Sequence, residues 1–213
     1  MLPVLMMTLH LLSQGVLAQW NRRPYFCAEA EDCYSFMTVC RDSEYETRAY
    51  EPSTWIGTRI FPREGRYRAV ARLSEYFNKK NLPGIQIERT APILTIFVNI
   101  NGVPTETSVY SMLPRRLFNN PPIPRDVTVF IKQFPPMTVF VKSFGGWFTN
   151  IRQKAQDLFE DLLRQRESFL QNRFYTAQYN GPLTLFSRHN EVWYLSFGMP
   201  RCSARYGRSQ SAA

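Results

Sequence analysis

Histidine is almost missing from this chain: 213 residues hold only His10 and His189. A metal centre or acid–base site built on several imidazoles is therefore excluded. Glycine is sparse as well, with ten residues too scattered to form a loop that cradles phosphate. No Gly-x-Ser-x-Gly element accompanies the lone downstream histidine, so a serine-hydrolase site has no support. Asn-x-Ser/Thr is absent too, and N-glycosylation is not expected. The four cysteines, Cys27, Cys33, Cys40 and Cys202, lack the close pairs of a zinc site or zinc finger. With no RNP-like aromatic motif either, nucleic acid is not an expected partner.

The longest stretch without charge opens the chain. The first eighteen residues, MLPVLMMTLHLLSQGVLA, carry no Asp, Glu, Lys or Arg and end on a small residue. That pattern predicts a secretory signal over 1–18, removed with His10 inside it. A secreted chain meets an oxidising compartment, so the four cysteines are expected as two disulfides, with three connectivities open. The remainder holds the whole formal charge of +9, which favours acidic partners such as anionic glycans or lipids. Arg201, Arg205 and Arg208 make the tail, 200–213, distinctly basic.

Periodicity organises the rest. Segment 19–44 carries three cysteines; from Tyr45 to Ile60 the chain is aromatic and β-branched, broken at Pro52 into short strands. Residues 66–81 place Ala69, Val70, Leu73 and Phe77 at helical spacing, with Pro83-Gly84 as the stop. Strand-like sequence follows, with a turn at Asn101-Gly102. After a proline-rich divide the order repeats. Residues 126–146 read as strand, turn and strand, and a second helix puts Ile151, Ala155, Leu158, Phe159, Leu162, Leu163, Phe169 and Leu170 on one face. Thr149 or Asn150 is the expected cap, with Gln153 completing a capping box. Trp55 and Trp147 lie 92 residues apart, and Thr90 and Thr176 lie 86 apart. The repeat predicts an α+β domain made from a duplicated βαββ-like unit.

Four stretches, YETRAYEPSTWIGT, ERTAPI, NNPPIPRDVTVFIKQFPPMTVFVKSFGGW and FYTAQYNGPLTLFSRHNEVWYL, resemble the SOUL haem-binding family in order and spacing. The resemblance implies a distorted eight-stranded β-barrel of two βαββ-like repeats flanked by two helices, over 45–199. It implies a monomeric, non-enzymatic protein that binds haem or a related tetrapyrrole, here in a secreted branch. Such a site needs a flat apolar cleft and a few cations for the propionates. Arg68, Arg72, Lys79 and Lys80 are the candidate cations; His189, Tyr67, Tyr76, Met112 and Met137 are the candidate iron ligands. Two departures stand out. Where one branch has a histidine before the Tyr-x-Pro element this chain has Ala49, and where many members have Met-Thr-Ala-Pro it has Arg89-Thr90-Ala91-Pro92. His189, among Ser187, Arg188 and Asn190, reads as a polar turn residue rather than a ligand.

Overall fold

The computed structural model of the chain describes residues 20, 23–181 and 183–202. The expected signal and the Arg205 and Arg208 part of the tail lie outside these residues. Eleven strands and two helices follow in order: β1 (Asp32–Cys33), β2 (Phe36–Arg41), β3 (Glu46–Tyr50), β4 (Ser53–Arg59), α1 (Arg66–Phe77), β5 (Thr90–Ala91), β6 (Ile93–Ile100), β7 (Val103–Met112), β8 (Val129–Phe134), β9 (Met137–Gly145), α2 (Ile151–Arg164), β10 (Arg173–Gln178) and β11 (His189–Leu195). Among the described residues no helix is long and apolar enough to cross a membrane.

Nine strands form one antiparallel sheet in the order β2-β3-β9-β11-β10-β6-β7-β4-β8, and β1 pairs with β5 separately. Leaving β2 aside, the remaining eight make two ββαββ halves arranged about the central β6–β10 pair. The halves exchange their first strands. Pro52 breaks the Tyr45–Ile60 run so that β3 pairs with β9 of the second half, while β4 stays beside β7 and takes β8 as its other neighbour. The α+β, helix-flanked architecture is thus observed, with an added ninth strand and an open, half-barrel sheet whose edges are β2 and β8.

Alternation along each strand sorts side chains onto two faces. Trp55, Leu94, Tyr110, Val141, Tyr175 and Trp193 fill the inner face. On the outer face Ile56 and Val109 meet α1 through Ala69 and Leu73, and Phe140 and Val192 meet α2 through Ala155 and Leu158. A bulge between Ile96 and Phe97 helps bend the sheet. Gly57 makes room for an aromatic ring: a Cβ there would stand 2.5 Å from Tyr110 Cε1. Phe26, Cys27, Cys33, Tyr34 and Phe36 of the N-terminal segment pack into the inner core. That segment is closed by Cys27–Cys33, and Cys40–Cys202 ties β2 to the chain's far end, which resolves the connectivity left open by sequence.

Several local expectations change. α1 ends at Phe77, short of Pro83-Gly84, because the Asn81 side chain donates to the Tyr76 and Ile85 carbonyls and turns the chain. Asn150 is left-handed at φ 55° and makes no side-chain cap, and Gln153 instead donates to Asp157. Phe169 and Leu170 lie past the end of α2, and Leu163 is half exposed. The paired landmarks are not equivalent: Trp55 is sealed within β4, whereas Trp147 lies beyond β9 and is exposed. Thr176 faces Thr95 across the central pair, whereas Thr90 begins β5.

Candidate functional site: a cleft beside α1 and the charge cluster behind it

At about 3.6 residues per turn, α1 buries Ala69, Leu73 and Tyr76 and turns a second flank, Val70, Ser74 and Phe77, toward the start of the β10–β11 connection. Between them lies a cleft of about 290 Å³, walled by Val70, Leu73, Phe77, Ile93 and Tyr179. Polar groups on its wall are already engaged. Gln178 accepts from Arg66, Thr90 Oγ1 donates to the Met112 carbonyl, and Glu29 accepts from Asn180, the Gly181 N–H and Thr184. Three hydrogen bonds outweigh the burial of Glu29, so its carboxyl is held below the usual range. Arg89 differs: exposed at the rim, its guanidinium has no acidic partner among the described residues. A broader groove of about 1130 Å³ between the Arg59–Glu64 loop and the start of α2 is far more open to solvent.

Behind the cleft, on the inner face, Glu191 is fully buried with four partners. Arg48 Nη1 donates to Oε1 at 2.8 Å, and His189 Nε2 lies 2.7 Å from the same oxygen. Trp193 Nε1 donates to Oε2 at 2.7 Å, and the Tyr179 hydroxyl donates to it at 3.2 Å. Burial alone would raise the carboxyl's pKa. The Arg48 charge and the His189 and Arg48 hydrogen bonds outweigh it and hold Glu191 at about 2. Arg48 itself lies over the Phe36 ring at 4.1 Å. Both carboxylate oxygens are taken up and sealed from solvent, so the cluster offers a substrate no base; it ties β3 to β11.

His189 is therefore not a turn residue. It opens β11 opposite Gly145, and its ring stacks on Phe26 at 3.7 Å. The candidate cations are not gathered at the cleft. Arg68 and Arg72 occupy the far flank of α1, where Arg72 bonds Glu64, Thr58 and the Arg59 carbonyl. Lys79 and Lys80 sit in the exit turn, with Lys80 3.0 Å from Glu75. Of the candidate ligands, the Tyr76 hydroxyl is buried and donates to the Pro122 carbonyl, and burial pushes its pKa up to about 12. Met112 is sealed, and Met137 packs against the inner core. Tyr67 is exposed and lies one turn before Val70 on the cleft flank. Among the described residues no three His, Cys, Asp or Glu side chains form a metal-holding group. The sequence reading missed Arg48, Glu191, Glu29 and the rim position of Arg89. Period-two alternation does put Glu191 beside Trp193 on the inner face, a visible signal of a buried acid.

Known proteins resemble this chain in sequence and in fold. The family model described as SOUL heme-binding protein matches residues 31–195. Human heme-binding protein 2 is 32% identical over 164 residues, covering 73% of this chain and 80% of that protein. Mouse heme-binding protein 1 is 26% identical over 159 residues, covering 71% and 84%. The crystal structure of the EcmrR C-terminal domain superposes with a TM-score of 0.51 at 13% identity, covering 73% of this chain and 99% of that one, a likeness of fold alone.

Proposed function

Because the chain belongs to the SOUL heme-binding protein family, we propose that it is a secreted, non-enzymatic protein that holds haem or a related tetrapyrrole in the cleft beside α1. The observation that carries this placement is the pairing of an apolar wall with a cation, Arg89, that has no acidic partner among the described residues. Val70, Leu73, Phe77 and Ile93 offer a surface to a macrocycle edge, and Arg89 stands at the rim to meet a carboxylate. The departure from the family's Met-Thr-Ala-Pro element thus supplies the charge, a role we assign to Arg89 ahead of Arg68, Arg72, Lys79 and Lys80. At about 290 Å³ the cleft is near the lower end of ligand-pocket volumes, so it grips part of the ring and leaves the rest outside. Tyr67, exposed one turn before Val70 and outside the cleft wall itself, is the candidate we keep for an iron ligand, a part tyrosine plays in some haem proteins. Secretion is supported by the pairing of all four cysteines, which an oxidising compartment maintains.

Haemin titration of the purified, disulfide-bonded chain tests the reading. A saturable Soret shift is expected. Ser74→Trp, which fills the cleft mouth from an exposed position, weakens it about tenfold or more, and Arg89→Glu weakens it severalfold at low salt. A wild-type chain with no saturable shift, or a Ser74→Trp chain that binds like wild type, rejects the placement.

A further inference from the structure

The described residues of the β10–β11 connection, 179–181 and 183–188, hold an unusual set of side chains in water. Leu183 is 91% exposed, Leu185 65% and Phe186 82%. Exposure of one large apolar residue is ordinary, but three within four positions require a reason. The loop's base is firmly braced. Glu29 accepts from Asn180, the Gly181 N–H and Thr184. Arg188, itself buried, donates to the Gly181 and Thr184 carbonyls, and Asn180 accepts from the His189 N–H. With its base fixed from both sides, the loop presents its apolar tip outward.

Two further aromatics stand at the same end. Trp147, 56% exposed, lies under the Arg188 guanidinium at 4.8 Å. Tyr25, 90% exposed, meets Phe26, whose ring stacks on His189 next to Arg188. Cations accompany them: Arg23 bonds the carbonyl of Ala30, the neighbour of Glu29, and Arg152 is exposed in the first turn of α2, five residues after Trp147. Apolar prongs with Trp and Tyr beside them and basic residues close by match the layered chemistry of a lipid interface.

We propose that this end of the molecule docks on an anionic phospholipid bilayer, with Leu183, Leu185 and Phe186 entering the acyl boundary. The occupant follows from shape and charge. The three prongs are each at least 65% exposed, and a bilayer accepts projecting side chains of any outline. The chain's +9 charge complements an anionic surface. The inference goes beyond the tetrapyrrole reading and stands without it. Because Tyr179 to Gly181 belong to both the loop and the cleft wall, docking would bring the cleft mouth close to the membrane.

Co-sedimentation of the intact, ligand-free chain with phosphatidylcholine vesicles, with and without phosphatidylserine, tests it. Binding is expected to the phosphatidylserine vesicles and to fall steeply with salt. Phe186→Asp and Leu183→Asp each lower partitioning about tenfold or more, and Arg152→Gln lowers it about fivefold. The melting temperature should stay unchanged in each, since all three side chains project into solvent. The proposal is overturned by absent vesicle binding, by equal binding of the Asp variants, or by retention on heparin without retention on vesicles. It is also overturned by a dimer that Phe186→Asp dissolves. Haemin titration of Phe186→Asp separates the two readings, because lost vesicle binding with an intact Soret shift leaves the cleft assignment untouched.

Discussion

The two halves of this molecule have the same order of elements and differ where their last two strands are joined. In the first half β6 turns into β7 through Asn101 and Gly102 alone, whereas in the second β10 reaches β11 through ten residues. The short turn is a hairpin solution in which both central residues have positive φ, 52° and 82°. The long loop instead needs Glu29, Arg188 and Asn180 to hold its base, and it contributes to both the cleft and the exposed apolar tip. The repeated order of elements gives a scaffold of two similar packing units. The longer connection contributes both to the cleft wall and to the exposed apolar side chains.

Charge deepens the contrast. The second half holds Glu191 fully buried against Arg48 of the first, while α1 and its exit turn display Glu75 and Lys80 in water. Glu191→Ala leaves the buried Arg48 guanidinium only Glu46 as a carboxylate partner among the described residues and removes the acceptor of Trp193 and Tyr179, and it is expected to cost about 3–5 kcal/mol in urea unfolding. Glu75→Ala on the exposed pair is expected to cost no more than about 1 kcal/mol. Acid adds a second reading of the same site. The Glu191 carboxyl is held at about 2, below its ordinary 4.5, so its contribution is complete above pH 4.5 and is lost as pH falls through 2. Glu191→Gln should therefore flatten the stability profile across that window. An unchanged acid limb would show that the cluster is not what joins the halves there.

Packing is where the halves should agree. Leu73 of α1 and Leu158 of α2 are each at most 2% exposed and sit in corresponding cores against the outer sheet face. Leu73→Ala and Leu158→Ala are each expected to cost about 2–5 kcal/mol, the range for large cavities in a packed core. If the halves fold as one cooperative unit, both variants shift the midpoint of a single transition. Two separated transitions in either variant would break the equivalence that the topology implies.

Much of this scaffold was legible in the chain. Apolar spacing at 3.6 found both helices, and alternation around Trp55 and Trp193 found the strands that carry the inner face. Long-range pairing was not legible: Pro52 marks a break between β3 and β4, but nothing local says that the two strands depart to different neighbours. Local polarity misled at His189. Ser187, Arg188 and Asn190 look like an exposed turn, yet Arg188 and Asn190 are buried because they satisfy backbone carbonyls of the surrounding loops. The same limit applies at the cleft. Arg89 stood out as a charge in an unusual place, but only the fold shows that the place is a rim, and helical position alone could not tell that Arg72 is occupied by Glu64 and Thr58.

The smallest expected effect separates a connection that only folds the chain from one that also acts. Gly102 at φ 82° occupies a conformation that a Cβ penalises, so Gly102→Ala is expected to lower stability by about 1 kcal/mol. Nothing lies within 4 Å of the added Cβ, so the cost is one of backbone conformation and not of packing. Haemin titration and vesicle partitioning of that variant should match wild type. Leu183→Ser in the other connection should do the reverse: at 91% exposure it leaves stability within about 0.5 kcal/mol while weakening vesicle binding. A Gly102→Ala chain that loses vesicle binding, or a Leu183→Ser chain that loses stability instead, would mean that the two connections are not divided between folding and contact. The long loop would then have to be counted as part of the scaffold.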